Sequence, residues 1–338
     1  MRIALDAMGG DYGPEELITG AILAVKQAGI EITLVGDTDF LRTHIDNLKE
    51  DSRVVSSLSL VHASEVIGMD EYPVDAIRRK KNSSIMVAFE LQKQGEVEGV
   101  VSAGNSGATL AAALRKLGRV KHVVRPGIAS MFPTLKRPVV IMDIGANVDC
   151  RPLHLFQFAV MASAFSSVYD IEHPRVGILS IGEETGKGNS LVKVTYEMLQ
   201  KSSLNFIGNV EGRDVYKGDV DVIVCDGFVG NNILKVSEGL AEAIMQMLAS
   251  EIKKSLLAKL GYFLAKPAFK RFKKRVDYTE YGGAPLLGIN GTGIVCHGKS
   301  NAQAIKNAIL EAVKMVENNV KDKISNDLEK NQFRAVET

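Results

Sequence analysis

Short apolar runs alternate along this chain with longer amphipathic stretches, and turns rich in glycine and aspartate join the two. The apolar runs predict buried strands over residues 2–8, 32–36, 99–102, 138–143, 175–181 and 220–225. Apolar residues at helical spacing predict helices over residues 14–28, 38–49, 84–94 and 105–117, with Ser83 as the N-cap of the third and Gly95 at its end. Strands that alternate with helices in this way predict an α/β fold, in which an open, mostly parallel sheet carries helices on both faces.

Three segments depart from this alternation. Residues 54–62 alternate poorly and are predicted to be a strand with a serine-rich start. Residues 256–275 are predicted to form a helical hairpin, because Pro267 should break the segment into an apolar helix and a basic one. Residues 321–338 are polar and are expected to fray. The remaining residues, 1–320, are predicted to form one α/β domain that includes the hairpin.

The composition is that of a folded protein, with 46% hydrophobic and 24% charged residues. A net charge of +1 gives no overall electrostatic reason to expect nucleic-acid binding. Three scattered cysteines favour neither a disulfide framework nor a metal site, so we expect a cytoplasmic location. We expect no signal peptide, because Asp6 interrupts the first apolar run, and no membrane-spanning helix.

Several common cofactor and nucleophile motifs are missing from the sequence. The turn at residues 9–13 lacks the spacing of a dinucleotide-binding loop, and there is neither a P-loop nor a nucleophile elbow. The six histidines do not have zinc-binding HExxH spacing. Cys225 ends an apolar run, which favours a buried apolar role over a thiolate nucleophile. We therefore expect neither a cofactor nor a metal.

Five turns are all composed mainly of glycine and small polar residues. They are Asp6–Asp11, Ser102–Gly107, Asp143–Asp149, Gly182–Asn189 and Asp226–Asn232. Glycine lets the backbone approach an oxyanion, and asparagine or serine adds neutral donors. Because ligands of open parallel sheets bind beyond the carboxyl ends of the strands, these turns predict a polar cleft for an anion.

The Ser102–Gly107 turn is the favoured phosphate site, since it leads from a strand into a helix whose first N–H groups are free. Its alternative interpretation is an ordinary N-cap turn. Lys187 lies in a glycine-flanked loop from which its charge can reach a cleft, and its alternative is a solvated loop lysine. The basic run at residues 78–81 either adds positive charge to the cleft or forms a solvated face or a partner contact.

Six motifs in this order resemble those of the phosphate acyltransferases, the acyl-ACP:phosphate transacylases of bacterial phospholipid synthesis. They are Asp6-Ala-Met-Gly-Gly-Asp11, Ser102-Ala-Gly-Asn-Ser-Gly107, Asp143-Ile-Gly-Ala-Asn147, Lys187-Gly-Asn189, Asp226-Gly-Phe-Val-Gly-Asn231 and Tyr281-Gly-Gly-Ala284. The resemblance covers residues 1–318. It departs at Tyr12 and Gly13, where the family often has His-Ala or Asn-Ala, so no histidine is expected to act at that turn.

The resemblance implies a fold similar to the isocitrate and isopropylmalate dehydrogenases and the phosphotransacetylases. It also implies a homodimer that moves a fatty acyl group from acyl carrier protein to inorganic phosphate. The acyl-phosphate product would serve a membrane glycerol-3-phosphate acyltransferase. Phosphate is itself a nucleophile, so this reaction needs positioning and oxyanion stabilisation rather than a nucleophilic serine or cysteine.

Site roles follow as a hypothesis from the turns and the resemblance together. Lys187 would stabilise the oxyanion, helped by Asn147 or Asn189. The predicted substrate-binding residues are Ser102, Gly104, Asn105, Ser106, Gly107, Asp6, Gly9, Gly10, Asp11, Asp226, Gly227 and Asn231. The three aspartates are expected to orient donors rather than to act as bases, because a bare carboxylate repels phosphate.

The hairpin predicted at residues 256–275 has three interpretations. Its cations could dock the acidic carrier protein, namely Lys270, Arg271, Lys273 and Lys274. Its apolar residues, Phe263 and Leu264 among them, could instead enter a bilayer beside those cations. The third interpretation is a dimer interface. We expect reversible association with the inner face of the cell membrane.

Two other classes of function remain open alternatives. One is a dehydrogenase on the same general fold, which the missing cofactor motif disfavours. The other is a non-catalytic scaffold that recruits lipid enzymes, which the several anion-binding turns disfavour. The acyltransferase is the preferred interpretation.

Overall fold

A computed structural model describes residues 1–276 and 282–331, with the side chains of residues 273–276 excepted. Tyr281 of the sixth motif and residues 332–338 of the predicted tail lie outside the described residues. The strands are β1 (Arg2–Asp6), β2 (Glu31–Gly36), β3 (Leu58–His62), β4 (Gly99–Ser102), β5 (Gly127–Phe132), β6 (Val139–Met142), β7 (Val176–Leu179), β8 (Phe206–Val210), β9 (Val222–Val224), β10 (Ala284–Leu287) and β11 (Gly293–Val295).

The α-helices are α1 (Pro14–Ala28), α2 (Thr38–Asn47), α3 (Ser52–Ser56), α4 (Pro73–Arg79), α5 (Ser84–Gln94), α6 (Ser106–Lys116), α7 (Pro152–Ser166), α8 (Ser190–Gln200), α9 (Gly227–Lys254), α10 (Leu256–Val276), α11 (Ala302–Glu317) and α12 (Val320–Lys330). Local signals explain the sharpest boundaries. Pro14 opens α1, and Gly29 ends it in the left-handed conformation. Gly95 ends α5 in the same way, as predicted.

One sheet of 11 strands has the order β3-β2-β1-β4-β11-β10-β5-β6-β9-β7-β8. The five strands from β3 to β11 are mutually parallel, and so are the four from β6 to β8. Between these two blocks, β10 is antiparallel to both β11 and β5, and β5 is antiparallel to β6. The two parallel blocks therefore run in opposite directions, and their carboxyl ends lie at opposite ends of the sheet.

Helices cover both faces of this sheet, and alternate strand residues face the two layers. Ile3 and Leu5 of β1 lie in one core with α1, α7 and α11, whereas Ala4 lies in the other core with α5 and α6. The same alternation separates Met142 from Ile141 in β6. The predicted α/β fold with a mostly parallel sheet and helices on both faces is confirmed.

Three local predictions are wrong. The segment 54–62 is only half strand, because Asp51 accepts the Arg53 N–H and opens the short helix α3 before β3 begins. Pro267 does not break a helix, since α10 runs through it. The N–H that Pro267 lacks would have bonded to the Phe263 carbonyl, and Phe263 lies on an exposed turn where water can replace that bond. The chain turns instead at Ser255, whose backbone is extended between α9 and α10.

The predicted fraying after residue 321 is also wrong as far as Lys330. Residues 320–330 form α12, which packs against α7. Val320, Ile324 and Leu328 recur every fourth residue and are all buried. Three apolar residues at helical spacing are enough to dock an otherwise polar segment.

Candidate active site

A cleft of about 370 Å³ crosses the middle of the sheet on the face that carries α5 and α6. Its floor includes Ile128 and Ser130 of β5, Ala284 of β10 and Val295 of β11. One wall is formed at the carboxyl ends of β4 and β11, and the other at the carboxyl end of β6 and on α9. The predicted turns thus form two groups at opposite ends of the sheet, because β10 and β5 reverse the strand direction between them.

We call the first wall, which carries Asp11, Ser106, His297 and Ser300, the serine wall. Within the described part of the chain, the side chains of Asp11, Ser106 and Ser300 make no hydrogen bond. Ser300 is only 6% exposed as a residue, and it lines the cleft with a hydroxyl that no other group in the described residues engages. The Lys299 N–H donates to His297 Nδ1 at 3.1 Å, which leaves the hydrogen of the neutral imidazole on Nε2.

The deeper residues of the same turns have hydrogen-bond partners inside the protein. The Ser102 hydroxyl donates to Asp6 Oδ2 at 2.7 Å and accepts the Gly104 N–H at 3.1 Å. Burial raises the pKa of Asp6, although hydrogen bonds from Ser84 and Ser102 act in the opposite direction. Asp6 and Ser102 are both buried, so they support the Ser102–Gly107 turn from below and do not face the cleft.

Asn105 is an N-cap with no free donor. Its Oδ1 accepts the Ala108 N–H, and its Nδ2 donates to the carbonyls of Met69 and Glu71. Gly107 lies beside Pro73. These contacts fix the first turn of α6, where Ser106 faces the cleft. The N-cap interpretation of this turn therefore holds for Asn105, and it leaves the start of α6 open to an anion.

The turn at residues 9–11 packs directly against its neighbours. Gly9 lies against Gly104, and Gly10 lies against the Gly298 carbonyl. The Asp11 N–H donates to that same carbonyl at 2.7 Å. The turns that follow β1, β4 and β11 thereby pack against one another behind the serine wall.

The opposite wall begins at Asp143, at the carboxyl end of β6. Its carboxylate accepts the Ile128, Gly145, Ala146 and Asn147 N–H groups, and burial raises its pKa. Asn147 donates both amide hydrogens, one to Asp143 Oδ2 and one to the Pro126 carbonyl. Both amide hydrogens of Asn147 are therefore engaged within the fold, and neither is free for an oxyanion.

The second element of this wall is the start of α9. Asp226 is its N-cap and accepts the Val229 N–H, and the Gly227 N–H donates to the Asn147 carbonyl. Asn231, one turn further on, lines the cleft beside Gly145. Its side-chain amide has no hydrogen-bond partner within the described ranges, so it is the free donor that this wall presents.

Lys187 and Asn189 lie in the loop between β7 and α8, and neither lines the cleft as the structure describes it. Asn189 is the N-cap of α8, where its Oδ1 accepts the Val192 N–H. Lys187 is exposed, and no ion pair of its ammonium occurs among the described residues. Because β7 lies next to β9 and parallel to it, this loop is at the same end of the sheet as Asp226.

Several cleft residues escaped the sequence analysis, among them the polar residues Ser130, His297 and Ser300. Ser130 is a single serine within an apolar strand, and its hydroxyl has no partner in the described part of the chain. A polar residue on the core face of a buried strand was the available signal for it. His297 and Ser300 follow β11, a three-residue strand that the sequence pattern did not predict.

The predicted carrier or membrane segment coincides with α10. Phe263 is 70% exposed and Leu264 is 74% exposed, and Lys270 and Arg271 are exposed on the same helix. The side chains of Lys273 and Lys274 lie outside the described residues. No helix in the described ranges is long and apolar enough to cross a membrane.

The arrangement can bind an anion at the start of α6 and polarise a second group from Asn231 across the cleft. The cysteines are poorly suited to nucleophilic attack, because burial raises the pKa of Cys296 to about 12 and that of Cys150 to about 11. Within residues 1–276 and 282–331 there is no group of three histidine, cysteine or acidic side chains that could hold a metal ion.

Comparison with known proteins shows the family to which the chain belongs. The profile of the family described as "Fatty acid synthesis protein" matches residues 1–323. A phosphate acyltransferase from Geotalea daltonii is 55% identical over 310 residues, which cover 91% of this chain and 89% of that protein. The chain therefore belongs to the phosphate acyltransferase family. It is an acyltransferase of lipid biosynthesis.

Solved structures agree on the fold. A phosphotransacetylase from Streptococcus pyogenes superposes with a TM-score of 0.63 at 17% identity, over 94% of each chain. A 4-hydroxythreonine-4-phosphate dehydrogenase from Klebsiella pneumoniae gives a TM-score of 0.54 at 14% identity, over 94% of this chain and 99% of that one. At these identities the likeness concerns architecture alone.

Proposed function

We propose that the protein transfers a fatty acyl group from acyl carrier protein to inorganic phosphate and releases an acyl phosphate. The observation that carries this proposal is the cleft with unpaired donors on both walls, Ser106 and Ser300 on one side and Asn231 on the other. The family relationship supplies the reaction class.

In this reaction a phosphate oxygen attacks the thioester carbonyl carbon. The C–S bond then breaks, and the proton of hydrogen phosphate ends on the carrier thiol. We propose that the serine wall and the start of α6 bind the phosphate, which raises its effective concentration at the carbonyl. Asn231 donates to the carbonyl oxygen as it becomes an oxyanion.

Lys187 is proposed to supply the positive charge for the same oxyanion. Its loop lies at the end of the sheet that carries Asp226, and its ammonium has no partner among the described residues. The flanking Gly186 and Gly188 leave room for the loop to approach a bound thioester. Asn189 fixes the end of this loop through its cap of α8.

The 28-residue helix α9 suggests how two copies associate. Val236, Leu240, Ile244 and Met247 recur on one face of α9 and are between 49% and 68% exposed. We propose that a second copy covers this stripe in a homodimer. In α10, Phe263 and Leu264 are proposed to enter the inner face of the cell membrane, with Lys270 and Arg271 at the lipid headgroups or on the acidic carrier protein.

We also propose that a membrane glycerol-3-phosphate acyltransferase consumes the acyl phosphate, and that the protein is otherwise cytoplasmic. Release of the acyl phosphate while α10 is bound to the membrane would bring a reactive product to its next enzyme.

The test uses the purified full-length chain with palmitoyl-acyl carrier protein, with and without phosphate. Carrier thiol and acyl phosphate are measured in the same samples. Phosphate-dependent thiol release that equals acyl-phosphate formation is the expected result. A folded protein that releases no thiol, or releases it equally without phosphate, would overturn the proposal.

A further inference from the structure

Among the aspartates of the predicted site, Asp11 differs from the others. Asp6 accepts the Ser102 hydroxyl, and Asp226 caps α9. The Asp11 carboxylate has no hydrogen-bond donor within the described residues, yet it lines the cleft. Asp11 is exposed to solvent, and its negative charge would repel an anion bound at this wall unless that anion carried a hydrogen for the carboxylate.

The Asp11 carboxylate lies against the turn after β11. A Cβ atom on Gly298 would lie 2.9 Å from Asp11 Oδ2, so only glycine lets the carboxylate rest against this turn. The bond from the Asp11 N–H to the Gly298 carbonyl holds the two turns in register. Asp11 is thereby held beside the turn that carries His297 and Ser300.

The same wall offers donors that are equally unpaired. They are the Ser106 hydroxyl, the hydroxyl of the largely buried Ser300, His297 Nε2–H and the first N–H groups of α6. A ligand that satisfies the whole wall must present several acceptor oxygens and one hydrogen that Asp11 can accept. Hydrogen phosphate and hydrogen arsenate have this pattern near neutral pH. Sulfate has the same shape and charge but no hydrogen.

We propose that Asp11 accepts the hydrogen of bound hydrogen phosphate and so makes the site select phosphate and arsenate over sulfate. This inference rests on the proposed function, because it takes phosphate as the ligand of the serine wall. Discrimination arises because sulfate would leave the carboxylate facing an unprotonated oxyanion, and a site built to accept a hydrogen strongly rejects an isostere that lacks one.

The first experiment measures binding of phosphate, arsenate and sulfate to the wild-type protein by titration calorimetry at pH 7. We expect phosphate and arsenate to bind with similar affinity and sulfate to bind at least about tenfold more weakly. Sulfate that binds as tightly as arsenate would overturn the inference. This measurement uses only the wild-type protein and does not depend on its catalytic activity.

The second experiment compares Asp11→Asn with Glu238→Gln. The amide that Asp11→Asn introduces can donate to sulfate, so we expect the preference for phosphate over sulfate to fall at least about tenfold. Glu238 also lines the cleft, but Lys235 Nζ donates to its carboxylate at 2.9 Å, and its replacement should leave that ratio within about twofold. A folded Asp11→Asn protein with the wild-type ratio would refute the role of Asp11.

The two proposals fail in different ways. Wild-type protein that shows no phosphate-dependent thiol release contradicts the proposed acyl transfer, whereas the binding ratios still decide on Asp11. Active wild-type protein whose ratio is indifferent to Asp11 contradicts only the present inference.

Discussion

The Ser102 hydroxyl bridges two strands by donating to Asp6 Oδ2 at 2.7 Å. Asp6 ends β1 and Ser102 ends β4, so this buried bond joins the two turns that support the serine wall. The same hydroxyl accepts the Gly104 N–H and thereby shapes the chain just before α6. One side-chain pair thus couples the stability of the sheet to the geometry of the proposed phosphate site.

Asp6→Asn should change how stability depends on pH. Burial raises the pKa of Asp6 in the folded protein, so the ionised carboxylate disfavours the folded state. Its contribution to stability is therefore greatest below the unfolded pKa and is lost as pH rises through the raised, folded pKa. We expect the unfolding free energy of Asp6→Asn, relative to wild type, to increase from pH 4 to pH 8 in urea titrations.

Ser102→Ala is the control for this experiment. It leaves the titrating carboxylate in place without its hydroxyl donor, so it should cost about 1–3 kcal/mol of unfolding free energy. Its pH dependence should be at least as steep as that of wild type. Parallel pH profiles of Asp6→Asn and wild type would argue against the raised pKa.

Gly230→Ala should strongly destabilise the protein. A Cβ atom on Gly230 would overlap the backbone oxygen of Asp143, so the start of α9 would have to move away from β6. We expect a loss of about 1–3 kcal/mol in unfolding free energy, and a fall in activity because Asn231 moves as well. Gly239 lies in the same helix with nothing within 4 Å of its Cβ position, so Gly239→Ala should stabilise by about 1 kcal/mol. Equal effects of the two changes on thermal unfolding would contradict this contact.

Lys187→Met should lower kcat by about 10²–10³ with little effect on the KM for phosphate, because the ammonium acts on the developing oxyanion. The matched control is Lys193→Met, an exposed lysine on α8 outside the cleft. Thiol release at saturating phosphate gives kcat for both variants. Near-normal kcat in a folded Lys187→Met protein would remove Lys187 from the mechanism.

Asn231→Ala should lower kcat by about 10² or more, since it removes the free amide from the wall opposite the serine wall. The adjacent Asn232 donates its amide to the Phe228 carbonyl instead and does not line the cleft. Asn232→Ala should therefore retain most of the activity. If both alanine variants lose the same amount, a disturbed α9 explains the result better than a lost donor.

Phe263→Asp combined with Leu264→Asp should weaken binding to vesicles that contain anionic lipid, because two exposed apolar side chains of α10 become charged. Leu135 and Val194 are also exposed but lie outside α10, so the pair Leu135→Asp and Val194→Asp is the control for added negative charge. Co-sedimentation measures the bound fraction. Unchanged sedimentation of the α10 variant would count against the membrane contact.

A helix or strand was predictable from the sequence wherever the segment itself contained a helix-ending glycine or a short apolar run. The helix at residues 84–94 ends where Gly95 predicts, and the short apolar run 99–102 forms the predicted buried strand. The direction of the strands was not predictable. It depends on β10 and β11, which come late in the chain and pair with β5 and β4. Nothing within either segment specifies that pairing.

The turns around the candidate site were predictable from the sequence, but the hydrogen bonds already made by their side chains were not. Asparagine and aspartate at the start of a helix serve as caps, so Asn105, Asn189 and Asp226 accept backbone N–H groups. Sequence shows such residues but not whether their hydrogen-bonding capacity is already used. The side chains left free, such as Asn231 and Ser300, became apparent only from the three-dimensional contacts.

The late strands also have a consequence for how the protein is made. The floor of the cleft takes Ile128 and Ser130 from the first half of the chain but Ala284 and Val295 from its last fifth. A ribosome that has reached the end of α9 has therefore produced β1 to β9 but neither β10 nor β11, the two strands that join β4 to β5. Such long-range pairing is slow to form and exposes strand edges meanwhile. A prematurely ended chain would possess every predicted motif up to Asn231 and still have no cleft.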